Sequence, residues 1–403
     1  MALELTARTP PGTALVAIAE RLADALAEQA GRHDRDGTYP FEGVAALRDA
    51  GYLAAPVPEP LGGLGVSSVH DVVIASGRLA RGDASVAIGV NMHLVVVLNL
   101  LRRWQMARAT GHARREAAFA ASLREIGSGR VVLAAAQSEP AQDLTRPSTV
   151  AVRTDDGWRI DGHKIFCTMS PAATALMTSV RFAGEDGAER YGYVQIPADA
   201  PGVRINEDWD ALGMRASGSH SVTFDGVALP ASSLRGGFPA GEPVPYLERN
   251  LASGLFHASA SLGIAEAAFA RAARRERIGD DARGRMLVAE SAIDLATSRA
   301  VLSRAAAMID EHHAANPAAD GTDEEIVTVF AEGQAAKTHI NEAAARVVDR
   351  ALALSGGAGY LNGSPLARAY RDVRAGAFMH PLGANRAYEF LGDVALGRPH
   401  AFR

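Results

Sequence analysis

Few side chains in this chain can move a proton near neutral pH, and two histidines stand out among them. His380 lies in the glycine-bounded segment GGAGYLNGSPLARAYRDVRAGAFMHPLG, from Gly356 to Gly383. A neutral imidazole there suits proton exchange with O–H or N–H groups near pH 7. Removal of an unactivated C–H proton is better served by a carboxylate whose pKa is raised by an apolar site. The bland alternative for His380 is a structural or pocket-lining role. His93 interrupts the apolar run Val90-Asn-Met-His-Leu-Val-Val. It is read as a second proton carrier, with a hydrogen-bonded core histidine as the other reading. His312-His313 invites a metal site, but adjacent helical residues point about 100° apart and do not converge on one ion. The pair is therefore read as a solvated helix end, and no metal is expected.

The elements that must position these residues fall into three blocks. Residues 13–130 carry mostly helical periodicity, with Leu15, Ile18, Leu22 and Leu26 on one face of the first helix. The stretch Ala84–Arg103 is too apolar to be exposed on any face and is expected at the centre. From about Val131 to residue 240 the pattern alternates, which predicts a small antiparallel barrel or sandwich with turns at Asp155-Asp-Gly and Asp225-Gly226. Residues 241–403 return to helical spacing. They predict a four-helix bundle over Leu251–Arg277, Arg283–Ala315, Asp323–Ala353 and Ala384–Ala395, the third helix capped by Asp320, Thr322 or Asp323. Gly356-Gly357 with Gly359 lacks a preceding strand–turn–helix, so it is not a dinucleotide fingerprint but a helix-to-helix turn that permits close backbone approach.

Bulk properties narrow the function classes. With 403 residues the chain can bury a large core, and 48% hydrophobic residues is a globular composition. A net charge of −5 argues against a nucleic-acid partner. The single cysteine, Cys167, excludes an intramolecular disulfide and fits a cytoplasmic setting. No targeting segment and no run of eighteen apolar residues is read, so no membrane span is expected.

Several motifs together resemble the acyl-CoA dehydrogenase family. The Gly-Gly-x-Gly-Tyr turn followed by Arg371-Asp372 resembles its C-terminal signature, in which a glutamate removes the substrate proton; that position is His380 here. Pro58-Glu-Pro-Leu-Gly-Gly-Leu-Gly65 and Asp83–Ala87 resemble N-terminal family segments. Ala136-Gln-Ser-Glu-Pro140 resembles the segment lying along the flavin, which makes Ser138 a cofactor contact, although Gln142 and Asp143 replace the usual residues after it. Gly162-His-Lys-Ile-Phe-Cys-Thr168 resembles the strand at the flavin edge. By that match Phe166 lies against the isoalloxazine ring and Thr168 offers its hydroxyl to N5. Leu212-Gly-Met-Arg-Ala-Ser-Gly-Ser219 is most similar to the flavin monooxygenases built on this fold, with Arg215, Ser217 and Phe256 as substrate-pocket residues. Arg275 matches an arginine that reaches a neighbouring subunit's flavin, and Gly356 and Gly357 approach the same site. Ile278-Gly279, Met286 and Ala353 depart from the family pattern, so FMN stands beside FAD as the implied cofactor.

The resemblance implies a helical N-terminal domain, a central β domain and a C-terminal bundle. It implies a monooxygenase using reduced flavin and O2 on a small amine, aromatic or biosynthetic intermediate. A separate reductase and a homodimeric or homotetrameric assembly accompany that reading. Two alternatives stay open. One is an acyl-CoA or acyl-carrier-protein dehydrogenase with a displaced base, for which Glu248 is the candidate. The other is a non-catalytic flavin- or acyl-binding homologue.

Overall fold

The computed structural model describes residues 4–140, 143, 145–274 and 281–400. Helix α1 (Pro10–Asp36) begins where the Thr9 hydroxyl accepts from the Gly12 amide and ends at Gly37, φ 64°. It is followed by α2 (Phe41–Asp49), α3 (Val69–Ala80), α4 (Ala84–Ala109) and α5 (Ala113–Gly127). Asp83 caps α4 by accepting from the Ser85 and Val86 amides. As its composition demands, α4 is central: it is long and apolar enough to cross a membrane, and 89% of its apolar window is buried inside the protein.

The middle block is an eight-stranded sheet ordered β6-β7-β3-β2-β4-β5-β8, with β1 paired to β4. The strands are β1 (Leu133–Ala136), β2 (Val150–Thr154), β3 (Gly157–Cys167), β4 (Ala175–Ala183), β5 (Glu189–Pro197), β6 (Val203–Ile205), β7 (His220–Pro230) and β8 (Arg235–Pro239). The sheet is mixed rather than purely antiparallel, because β1 runs parallel to β4. Nor is Asp225-Gly226 a turn between strands. It is a bulge within continuous β7, where the Gly226 amide donates to Asp161 at 2.8 Å and φ is 65°.

The C-terminal part holds α6 (Val244–Arg249), α7 (Ser253–Ala273), α8 (Ala282–Ala315), α9 (Asp323–Ser355), α10 (Gly357–Tyr360), α11 (Pro365–Asp372) and α12 (Ala384–Ala395). Of the three expected caps for α9, Thr322 takes the role in a reciprocal capping box with Glu325. The main apolar core joins the N- and C-terminal helices through α3, α4, α7 and α9, while two smaller cores serve the sheet.

Polar staples tie the three parts together. The Arg371 guanidinium grips Asp34 at 2.8 and 2.5 Å. Arg215 Nε donates to the Asp34 carbonyl at 2.8 Å, and the Met214 amide donates to Asp372 at 2.6 Å.

Candidate active site

The flavin-edge strand is shaped by a bulge. Lys164 pairs with Val222 and Cys167 with His220, so Ile165 and Phe166 together face Ser221. Phe166 takes a positive φ of 54°, and its ring is 59% exposed while touching Trp209 edge-on at 6.0 Å. A core phenylalanine would not be presented in this way; a stacking surface for a planar ring is. Behind it lies a buried ion pair, Lys164 Nζ to Glu139 at 2.7 Å. Burial would raise the Glu139 pKa, but Lys164 and the Ser148 and Thr149 donors hold it down to about 2. Ser138 is fixed beside this pair by its backbone, its carbonyl accepting from the Ile165 amide at 2.9 Å.

Thr168 ends a chain of three hydroxyls. Ser219 Oγ donates to Thr168 Oγ1 at 2.9 Å and lies 2.7 Å from Ser217 Oγ. The Ser217 carbonyl also accepts from the Met169 amide. Gly218 makes the turn possible: its φ is 56°, and a Cβ there would stand 2.7 Å from Pro171 and Tyr39. Ser217 is thus buried and backs Thr168 from behind, instead of lining a substrate pocket. Ser219 lies in the same Ser-Gly-Ser motif, and nothing in the sequence separates its role from that of Ser217.

His380 lies in a second polar cluster. Its Nε2 is 3.1 Å from the Tyr246 hydroxyl and 3.2 Å from Asn250 Oδ1. Burial, then the nearby Lys337 charge, push its pKa down to about 3, so the ring is neutral at ordinary pH. The one nitrogen has a partner for each tautomer. Bare, it accepts from Tyr246; protonated, it donates to Asn250. Lys337 on α9 holds the segment that carries His380, donating to the carbonyls of Met379, of His380 at 3.3 Å and of Leu382 at 2.7 Å. Beside them His257 and Gln334 are buried with no protein partner on ring or amide atoms. Tyr246, Asn250 and Lys337 were not singled out from the sequence; the signals that could find them are the i, i+4 spacing of the first two and the charge of the third on the apolar face of α9. Among the described residues no hydrogen bond joins this cluster to Thr168.

Other expected residues fall elsewhere. His93 is corrected from proton carrier to structural pin. It is fully buried, its Nε2 meets the Leu53 carbonyl at 2.9 Å, and its Nδ1 accepts from the Leu133 amide at 3.0 Å. Burial pushes it down to about 4, and no ring nitrogen is left to exchange a proton. Phe256 is enclosed in the main core, its carbonyl accepting from Asn91 and Ser259. Arg215 is spent on the clamp to Asp34 and Ala211. Gly356 and Gly357 form an exposed turn on the outer face of the bundle. Arg275, with Ile278-Gly279, lies outside the described residues. His312 is not solvated: it is buried and bonds Glu248 at 3.1 Å. Glu248 also stands 3.8 Å from Arg102, and its carboxyl is held below the usual range, burial being outweighed by these neighbours.

Residues 14–105 match the acyl-CoA dehydrogenase N-terminal domain, 133–227 the middle domain and 250–385 the C-terminal domain. Amino sugar nitrososynthase DnmZ of Streptomyces peucetius is 35% identical over 97% of this chain and 95% of its own length. The crystal structure of a nitrososynthase from Micromonospora carbonacea var. africana is 32% identical, with a TM-score of 0.87, covering 97% of this chain and 98% of that one. KijD3, solved in complex with FMN and dTDP-3-amino-2,3,6-trideoxy-4-keto-3-methyl-D-glucose, is 32% identical with a TM-score of 0.89, covering 98% and 96%. At 23% identity, the methanesulfinate monooxygenase MsuC of Pseudomonas fluorescens shares the fold, with a TM-score of 0.82. The chain belongs to the acyl-CoA dehydrogenase family and is a flavin-dependent oxidoreductase of that fold.

Proposed function

We propose that this enzyme uses reduced flavin and dioxygen to oxidise the amine of a nucleotide-linked amino sugar. The observation that carries the reading is His380. A neutral imidazole with Tyr246 and Asn250 as alternative partners stands where dehydrogenation requires a carboxylate. Such a ring stays neutral, so it can accept a hydrogen bond from a substrate N–H and orient the free amine, with Tyr246 and Asn250 as its exchangeable partners. The similarity to nitrososynthases over 97% of the chain supports an amino sugar as substrate and FMN as cofactor.

The residues fit a flavin: Phe166 offers an exposed ring face and Thr168 a hydroxyl at the strand end. Activation of dioxygen is the chemistry that a bound reduced flavin supplies. Phe166 would hold the ring system in place. Thr168 receives a hydrogen bond from Ser219 and donates to the Phe166 carbonyl only at 3.4 Å, so its proton would turn from that long bond to the cofactor edge. His380, as a neutral ring, would accept a hydrogen bond from an N–H of the amine and fix its orientation. In this reading a separate reductase supplies the electrons. The working unit is a homodimer or homotetramer, which would cover the exposed apolar side chains of Met286, Ile293, Tyr360 and Phe378. Dehydrogenation would need Glu248 as base, yet that carboxylate is bound to His312.

The test loads the protein with FMN, reduces it without oxygen, and mixes it with aerated buffer holding either a dTDP-linked amino sugar or an acyl-CoA. We expect a hydroxylamine or nitroso product from the amine. Thr168→Val should lower product formed per flavin oxidised roughly tenfold, with hydrogen peroxide making up the difference. Bleaching of the oxidised, FMN-loaded protein by acyl-CoA in a parallel anaerobic mix, with no amine oxidation in the aerated one, would overturn the reading. An unchanged product-to-peroxide ratio would remove Thr168 from it.

A further inference from the structure

A cavity of about 290 Å³ lies between the second half of α4, α6, β8 and the start of α9, and it plays no part in the cofactor-edge site. Three arginines line it: Arg102, Arg103 and Arg249. Arg102 is committed, donating to the carbonyls of His313, at 3.2 Å, and of Asn316. Its neighbour Glu248, also on the wall, is bound to His312.

Arg103 and Arg249 are different. Among the described residues neither has a carboxylate or carbonyl acceptor. Each rests on an aromatic face, Arg249 3.9 Å from the Tyr193 ring centroid and Arg103 5.9 Å from that of Phe238. Arg235 stands near enough to add its charge, and its Nη1 is buried without a partner. Burial, with repulsion from Arg103 and Arg235, pushes the Arg249 guanidinium down to about 10. The only other acid on the wall is the exposed Asp323.

Arg102, Arg103, Arg249 and the nearby Arg235 outnumber the carboxylates of Glu248 and Asp323, and that excess of buried positive charge is costly; cation–π contact offsets only part of it. The arrangement makes sense if a guest brings the negative charge. Guanidinium forks match phosphoryl oxygens in pairs, so two free forks suit two linked phosphoryl groups better than a single small anion. We infer that this cavity is a diphosphate site, in which Arg103 and Arg249 hold the phosphoryl groups of the substrate. The inference rests on the reading of a nucleotide-linked substrate and adds to it the residues that grip the linkage. It also accounts for α6. Glu248 and Arg249 face the cavity, while Tyr246 and Asn250, on the same helix or just after it, contact His380. One helix therefore separates the charged end of the substrate from the imidazole proposed to orient its amine.

The test is calorimetric titration of the flavin-free full-length protein with inorganic pyrophosphate and with thymidine diphosphate at low and high salt. Both should bind the parent protein, more weakly as salt rises. Arg103→Met and Arg249→Met should each weaken binding roughly tenfold or more. Arg159→Met, remote on β3, should leave it unchanged. Arg249→Lys keeps the charge without the fork and serves if the methionine variant does not fold. Equal binding by parent and variants, or none at millimolar pyrophosphate, would overturn the inference. Because this titration needs neither amine nor flavin, the two ideas fail separately. Diphosphate binding without amine oxidation sinks only the oxygenase reading. Amine oxidation whose KM ignores Arg103 and Arg249 sinks only the diphosphate site.

Discussion

Two histidines with similar sequence credentials have opposite surroundings, and their partners make the difference. His93 has a backbone group on each nitrogen, while His380 has two side-chain partners on one. Removing His93 orphans the Leu53 carbonyl and the Leu133 amide in the core. His93→Ala should therefore cost about 3 kcal/mol or more in urea unfolding at pH 7.5. The folded-state pKa is depressed to about 4 from an ordinary 6.5. The contribution is therefore fully present above pH 6.5 and is lost as pH falls toward 4. The gap between parent and variant should narrow across that window by about 3 kcal/mol. A gap that stays constant with pH would mean that His93 titrates normally in the fold. The same reasoning explains why sequence could not rank the two: a histidine in an apolar run looks alike whether its nitrogens are free or taken.

Helix α9 and the segment it steadies are the element on which the His380 site depends. Lys337 gathers the carbonyls of Met379, His380 and Leu382. Burial holds the Lys337 pKa down to about 7, a cost that Lys337→Met removes, but the variant leaves three carbonyls without their shared donor, and the net loss of stability should be about 1–3 kcal/mol. Hydrogen exchange should rise in residues 379–382 while the middle of α9 stays protected; uniform loosening of the whole bundle would contradict this. Helix α1 was legible from its one apolar face, and α4 from an apolar run too long and uniform to leave any face exposed. Strand β4 was not, because it is buried along most of its length and shows no alternation. The bulge at Phe166 was equally hidden, since nothing in the types of Ile165 and Phe166 marks a positive φ.

Across the whole molecule the β block is stapled to both helical parts. Asp372 sits at the junction, 4% exposed, accepting from the Met214 amide. Burial raises its pKa to about 6, Arg368 opposing the rise only in part. A raised carboxyl is favoured in its neutral form, so the fold is penalised progressively as pH climbs from about 4 to 6. Asp372→Asn keeps the acceptor and removes the charge. It should stabilise the protein at pH 7 by up to about 3 kcal/mol, with the gain gone by pH 4. Thermal unfolding at the two pH values checks this. A loss at pH 7 would mean that Arg368 pairs with the carboxylate more strongly than burial opposes it.

The sequence by itself determined the helix–sheet–helix order, the central place of α4, and the family, because periodicity and local motifs are written in consecutive residues. It also placed Phe166 and Thr168 together at one strand end. Tertiary structure alone decided which polar groups meet. Ser219 reaches Thr168, Tyr246 and Asn250 face His380, and Arg103 and Arg249 share a cavity in which cations outnumber carboxylates. Those meetings join residues tens or hundreds of positions apart. Only packing brings them within hydrogen-bonding reach, or strips away the water that would otherwise hide a charge.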